Sequence, residues 1–404
     1  MNRKIIPSFF AGVLICLVMA VSAVFAFSGS ITAEKFGSTV AWSRPYSGAE
    51  SMKVIDLTGD GKDDLFIQSP NNLSVLDESG EPLFGFGYQS MKTTLGDVTG
   101  DNIEDIVVYH AGTGMSVDII SKGQPRELVN TLTTATPSRV AVIRFSSGPQ
   151  IVLGDASGGL LAISTDGQTR WTASLGSSEI RGMDDARVNG QTFVAVATLD
   201  GSLAVYDDNG SALWSGSQEQ LRRMRTFDLN GDGTSEVITG GEYGAFKIYN
   251  AADGSLLFET SLGQAASEAR EVELDGNPSS REIVGGGKDR CVWAFSFDGT
   301  TARQMWSGAL SDKVTEIAGI DVDDDGKQEA VVGDDAGKVA IFTEDGTRNN
   351  LPDRTSGIAR VDGGVEGVSY RPIDPSAARR TPLGQYGEYG ILFWEVEDDR
   401  TSTV

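Results

Sequence analysis

Short apolar runs alternate with polar turns along most of the chain, and after the first 28 residues no stretch shows a helical period. Typical runs are Leu65-Phe-Ile67, Ile106-Val-Val108, Val237-Ile238 and Ala330-Val-Val332. A Gly-rich segment read as a turn follows, as in Gly240-Gly241, Gly285-Gly-Gly287 and Gly333 to Gly337. Next comes an alternating strand such as Leu160-Leu-Ala-Ile163, Phe246-Lys-Ile248 or Val339-Ala-Ile341. It leads into Asp166-Gly167, Asn209-Gly210, Asp253-Gly254, Asp298-Gly299 or Asp345-Gly346. Such dipeptides suit the positive φ angles of tight β-hairpins. An aromatic often closes the unit: Phe84, Trp171, Trp214, Phe258 or Trp306.

An acidic loop marks the register. It stands between two apolar runs and begins at Asp56, Asp97, Asp228 and Asp321. Divergent copies start near 143, 184 and 273. Those near 143 and 184 have lost the acids, while Glu273, Asp275, Asn277 and Glu282 form a copy stretched by one residue. The pitch is about 44 residues, with four short strands per unit, the sequence signature of β-propeller blades. The expected fold is all-β: a propeller of seven four-stranded blades, with eight as the alternative, preceded by one N-terminal hydrophobic helix. Trp42 lies 14 residues before Asp56, as Trp214 does before Asp228, so the segment at 39–42 is in register for an outermost strand. Such a strand closes the ring by pairing with the last blade, or joins strands from residues 364–397 in an eighth. The chain divides into a leader (1–28), a propeller (37–351) and a C-terminal extension (352–404).

Oxygen-bearing residues stand at loop positions 1, 3, 5 and 9, the arrangement a hard cation such as Ca2+ requires, since it takes six to eight oxygen ligands. The expected ligands are Asp56, Thr58, Asp60 and Asp64 with the carbonyl of Lys62, and Asp97, Thr99, Asp101 and Asp105 with the carbonyl of Ile103. The third and fourth sets are Asp228, Asn230, Asp232 and Glu236 with the carbonyl of Thr234, and Asp321, Asp323, Asp325 and Glu329 with that of Lys327. An EF-hand is excluded: it needs Glu at position 12 between two helices. The competing reading is a polar hairpin that uses Asp and Gly for geometry alone. Four copies of one ligand pattern favour the metal, because the two divergent copies show the hairpin forming without the acids.

The formal net charge of −24 and the lack of any basic stripe argue against a nucleic-acid partner. Arg3 and Lys4 precede an uncharged stretch over residues 5–27, longer than a signal-peptide core and long enough to span a membrane. Val24-Phe-Ala26 resembles a cleavage site, so an anchor and a secreted form both stay open. Either places the remainder outside the cytoplasm, tied to the membrane if the leader is retained. Cys16 lies in this leader, which leaves Cys291 without an internal disulfide partner.

The loop pattern Asp-x-Asn/Thr/Asp-Gly-Asp-Gly-x-x-Asp/Glu resembles FG-GAP (VCBS-type) repeats, found in the propeller of integrin α subunits and in microbial surface proteins. Asp324 departs from the usual Gly. The units ending Asp166-Gly-Gln-Thr-Arg-Trp171 and Asn209-Gly-Ser-Ala-Leu-Trp214 resemble the blades of pyrroloquinoline-quinone enzymes and their non-enzymatic scaffold relatives. The resemblance implies a seven-bladed propeller, Ca2+ in the loops, and binding rather than catalysis. The single histidine, His110, read as lying in a turn, excludes His-based triads and multi-His metal centres. The sequence-level function is a calcium-binding interaction module at the cell surface, with an unidentified protein or glycan as partner. An envelope-assembly scaffold without cofactor is the alternative, and a carboxylate-based enzyme acting on polysaccharide the third. The partner is expected on the face carrying the Gly-rich turns, around His110 to Gly114, Glu242 to Gly244 and Gly287 to Arg290.

Overall fold

The computed structural model describes residues 29–34, 40–46, 51–62, 64–77, 79–111, 115–132, 136–262, 264–277, 281–320, 326–334, 339–351, 358–361, 367–372 and 390–393. The expected leader helix, and Asp321, Asp323 and Asp325 of the fourth acidic loop, lie outside the described residues. Among those described, no helix is long and apolar enough to cross a membrane.

Seven four-stranded antiparallel sheets follow one another along the chain, each paired in sequence order. The first strands are Ser51–Ile55, Gln89–Gly96, Pro137–Phe145, Ile180–Val188, Leu221–Phe227, Ala266–Val272 and Val314–Ile320, for sheets 1 to 7. From sheet 2 to sheet 7 each of these strands touches the first strand of the next sheet, so together they line the axis of a propeller. An eighth sheet joins the two ends of the chain, in the order Val40–Tyr46, Gly29–Glu34, Gly367–Pro372, Gly390–Phe393, Ile358–Val361. Its strand Ile358–Val361 lies beside the first strands of both sheet 7 and sheet 1. The strand with Trp42 therefore edges an eighth sheet rather than completing the seventh, which has four strands of its own.

Period-two alternation explains the stacking. In sheet 2, Ile106 and Val108 pack toward sheet 1 while Val107 and Tyr109 pack toward sheet 3. Both faces of this strand are buried, which is why it reads as a continuous apolar run. Cores of this kind fill each gap from sheet 1 to sheet 7. Each buried Val, Ile or Phe contributes about 1.5–3 kcal/mol.

Two of the Gly-rich segments are not turns. Gly240, Gly241 and Gly285 to Gly287 end the second strands of sheets 5 and 6. At Gly240 and Gly286 the reason is long-range. A Cβ on Gly240 would fall 2.7 Å from Ala266 in the next sheet, and one on Gly286 would fall 2.2 Å from Val314. The sheets approach so closely near the axis that only glycine fits. The divergent copies near 143 and 184 keep the hairpin without the acidic loop, as expected. Phe145 pairs with Gly148 and Val188 with Gln191, so tight two-residue turns, Ser146-Ser147 and Asn189-Gly190, replace the acidic loop.

A register shift recurs near the start of the first strand in sheets 2 to 7. The residue after it is Lys92, Arg139, Gly182, Arg223, Glu268 or Glu316, in sheet order. Bulges of this kind re-aim the side chains that follow them.

Candidate site in the acidic loops

Each acidic loop joins the first and second strands of its sheet, and in the antiparallel order it shares a face with the Asp-Gly hairpins. Contacts confirm this. Lys122, in the hairpin of sheet 2, places Nζ 2.8 Å from Asp101 Oδ2 in the loop of that sheet. Lys327 pairs with Glu344 across sheet 7. Neighbouring loops also meet: a Cβ on Gly59 would fall 2.2 Å from Ile103 of the next loop.

The acids at positions 1 and 9 turn onto the backbone of their own loop. Asp56 Oδ1 accepts from the Gly59 amide at 2.6 Å and Asp56 Oδ2 from Gly61 at 2.9 Å. Asp97 repeats this with Gly100 and Asn102, at 2.6 and 2.9 Å. Asp228 receives the Asp232 amide at 3.1 Å and the Gly233 amide at 2.9 Å. The position-9 acid opens the second strand and is buried in every described copy: Asp64, Asp105, Glu236, Glu329, and Glu282 of the stretched loop. It accepts from the residue after position 1, Leu57, Val98 and Leu229 each at 2.9 Å and Leu274 at 2.8 Å. This carboxylate fastens the loop to the strand it leads into, a structural duty independent of metal. Position 5 caps locally: Lys62 donates to Asp60 Oδ1 at 2.9 Å, Ile103 to Asp101 at 3.1 Å and Thr234 to Asp232 at 2.7 Å.

Two expected ligand atoms are left over. Thr58 Oγ1 and Asp105 Oδ1 are buried and have no hydrogen-bond partner. A buried polar atom without a partner costs about 1–3 kcal/mol, and a cation held by oxygens relieves that cost. The charges point the same way. Burial first, then Asp232 and Asp228, push the Glu236 carboxyl up to about 7. Burial, then the charges of Asp56 and Asp60, raise Asp64 despite the Leu57 amide. Oxygen donors of this kind are what a hard cation takes, although the carboxylates of these loops are turned onto their own backbone. In the second loop Lys122 already supplies positive charge to Asp101, and Arg144 Nη2 lies 3.8 Å from Asp97.

The structure does not draw all the expected ligands equally close. Among the described residues, carboxylate oxygens of three acids come within 4.8 Å of one another only at Glu273, Asp275 and Glu282, in the stretched copy. There Arg281 forms an ion pair with Glu273, filling part of the space a metal would need.

His110 ends a strand rather than lying in a turn, with its ring 4.6 Å from that of Tyr88 and Nε2 3.4 Å from Asp118 Oδ2. On the face opposite the acidic loops, two of the segments expected to meet a partner come together. Lys288 Nζ lies 2.9 Å from Glu242 Oε1, and Arg222 pairs with the same carboxylate. Tyr243, beside them, is 66% exposed.

The sequence also hides a basic feature. Arg139, Arg181 and Arg223 recur at intervals of 42 residues on successive first strands, joined by Arg225 and Arg270. Scattered in sequence, they form no stripe; the propeller gathers them at its axis. Their 42-residue spacing, close to the blade pitch, is the signal that reveals them.

A search of the curated proteins finds no match. Among solved structures, the computationally designed Ika8 protein aligns with TM-score 0.59 at 18% identity, covering 86% of this chain and 98% of that one. Rhamnogalacturonan lyase YesW aligns with TM-score 0.56 at 15% identity, covering 80% and 68%. BamB from Moraxella catarrhalis aligns with TM-score 0.50 at 15% identity, covering 79% and 90%. Likeness at such identities speaks for the fold alone. The family model PQQ_2, described as outer membrane protein assembly factor BamB, matches residues 143–349. With over half of its 404 residues matched, the chain belongs to this PQQ-type β-propeller family.

Proposed function

We propose that this chain is an extracytoplasmic interaction propeller that works by binding rather than catalysis. One face is stiffened by Ca2+ in FG-GAP-like loops, and the other meets a protein partner. The observation that carries this reading is the division of labour between the faces. Loop carboxylates on one face are folded onto their own backbone, while the other presents the exposed ring of Tyr243 beside the Arg222–Glu242–Lys288 bridge. An exposed aromatic framed by charged residues has the composition of a protein contact. His110 is held by Asp118 and Tyr88, as a structural residue is. The residues for Ca2+ are those of the described loops, above all Thr58 and Asp105, whose orphan oxygens a cation would satisfy.

The alternative form is a scaffold for assembling envelope proteins, and the family match is consistent with it. Photo-crosslinking on the intact cell tests the shared claim. A crosslinker at Tyr243 captures a discrete protein partner, and one at Lys62 on the opposite face captures none. The reverse pattern rejects the assignment of faces. Calcium then separates the two forms: a surface-adhesion partner is lost when Ca2+ is removed, and an assembly partner is retained.

A further inference from the structure

The axis of the propeller concentrates positive charge in a chain whose net charge is −24. Glu268, 1% exposed, is approached by three guanidinium groups: Arg270 Nη1 at 2.7 Å, Arg223 Nη2 at 3.0 Å and Arg225 Nη2 at 3.7 Å. Arg139 reaches along the ring and donates from Nε to the Arg181 carbonyl at 2.8 Å. Lys53 stands on the first strand of sheet 1, and its ammonium feels Arg225 and Arg270 of sheets 5 and 6 from across the ring. The described carboxylates set among these six cations are Glu104, Asp184, Glu179 and Glu268. Among the described residues six cations face four carboxylates, so positive charge remains in excess along the axis.

That excess is felt by the groups themselves. Burial, then the charges of Arg181 and Arg223, hold Arg139 down to about 10. Burial, then Arg225 and Arg270, also lower Lys53, although its side chain is exposed along the axis. Solvent still reaches these side chains: Arg223 is 41% exposed, Arg225 29% and Arg270 28%. Guanidinium forks match carboxylate and phosphate oxygens in a bidentate way.

We propose that the axial channel, at Lys53, Arg139, Arg225 and Arg270, is a binding site for a small multivalent oxyanion of the phosphate or polycarboxylate class. The site is independent of the calcium loops and of the partner face. An otherwise acidic surface repels anions in general, so a positive axis of low dielectric focuses a suitable one at a single place.

Isothermal titration of the full-length protein, depleted of metal on a chelating resin, tests this with pyrophosphate and citrate as separate probes. Saturable one-site binding of either is expected, and the tighter probe identifies phosphate or carboxylate as the preferred chemistry. Arg225→Gln and Lys53→Met each weaken it about tenfold, the loss of one charge-assisted contact. Arg126→Gln, on an outer strand, leaves it unchanged. If Arg225→Gln unfolds the ring, Lys53→Met decides, because Lys53 is exposed and its loss relieves repulsion. Absence of saturable binding by both probes, or binding unaffected by Lys53→Met, overturns the proposal.

Discussion

The indole of Trp214, in the last strand of sheet 4, lies against Gly254 in the hairpin of sheet 5. A Cβ at 254 would fall 2.6 Å from indole Cδ2. The relation repeats between Trp171 and Gly210, Trp306 and Gly346, and Phe84 and Gly123, with distances of 2.7 to 2.8 Å. The closing aromatic of one blade and the hairpin glycine of the next are thus two halves of one joint. Trp214 Nε1 adds a hydrogen bond to the Ala251 carbonyl at 2.7 Å. Gly254 also has φ +73°. Gly254→Ala therefore meets backbone strain and a clash together, and is expected to destabilise by about 3 kcal/mol. Gly190, with φ +77° and nothing within 4 Å of its would-be Cβ, has the strain alone. Gly190→Ala should cost about 1 kcal/mol. Urea denaturation of the two variants measures the difference; equal losses would mean the aromatic joint contributes nothing.

Calcium should raise the melting temperature of the resin-depleted protein. A site in hundredfold excess of its Kd contributes about 2.7 kcal/mol. Thr58→Val separates ligation from loop geometry. It removes a buried hydroxyl with no partner, so the metal-free variant should be as stable as the parent or more so, by about 1 kcal/mol. Its gain on adding calcium should shrink. A variant that keeps the full calcium response shows that Thr58 is not a ligand.

What could be read from the sequence was local. Alternation, Asp-Gly hairpins and closing aromatics depend on neighbours in the chain, so sheets 1 to 7 were legible, as was the place of each acidic loop. Gly240 and Gly286 read as turn residues because their cause, the close approach of Ala266 and Val314, comes from the next sheet. The eighth sheet, read from Trp42 and residues 364–397 as the alternative, pairs Ser30 with Arg371, and only that long-range pairing decides between seven sheets and eight. Within the loops, an aspartate that binds its own backbone and one that ligates metal are the same letter. The hydrogen bonds to Asp56 and Asp64 therefore had to be seen. The axial arginines were hidden because one residue per blade makes no stripe until the ring closes.

Acidity should act on the metal-free protein in an unusual direction. Glu236, 1% exposed, has its carboxyl raised from 4.5 to about 7 by burial and by Asp232 and Asp228. Between those values the folded state binds the proton more tightly than the unfolded state. This contribution to stability is therefore full below about pH 4.5 and is lost as pH rises through 7. A shift of this size corresponds to about 3 kcal/mol. Glu236→Gln, neutral at every pH, should match the parent near pH 4.5 and exceed it by up to that amount at pH 8. With calcium present the order at pH 8 should reverse, because the carboxylate is then the better ligand. Melting curves of both proteins across pH, with and without calcium, check this. A parent equal to the variant at pH 8 without metal would show that Glu236 ionises without penalty.

The position-9 acid should matter for folding even where metal plays no part. In the stretched loop, Glu282 Oε2 receives the Leu274 amide at 2.8 Å, and both residues are buried. Glu282→Ala strands that amide and leaves a cavity at the start of the second strand of sheet 6, with an expected cost of about 2–4 kcal/mol. Glu282→Gln keeps an acceptor of the same length, and burial already raises the Glu282 carboxyl. The glutamine variant should therefore lose no more than about 1 kcal/mol. Resin-depleted samples in urea give both values directly. If the two variants lose stability equally in the absence of metal, the fastening role fails. If they differ as expected, the acid is kept for the loop's own geometry, and any metal at this copy comes second.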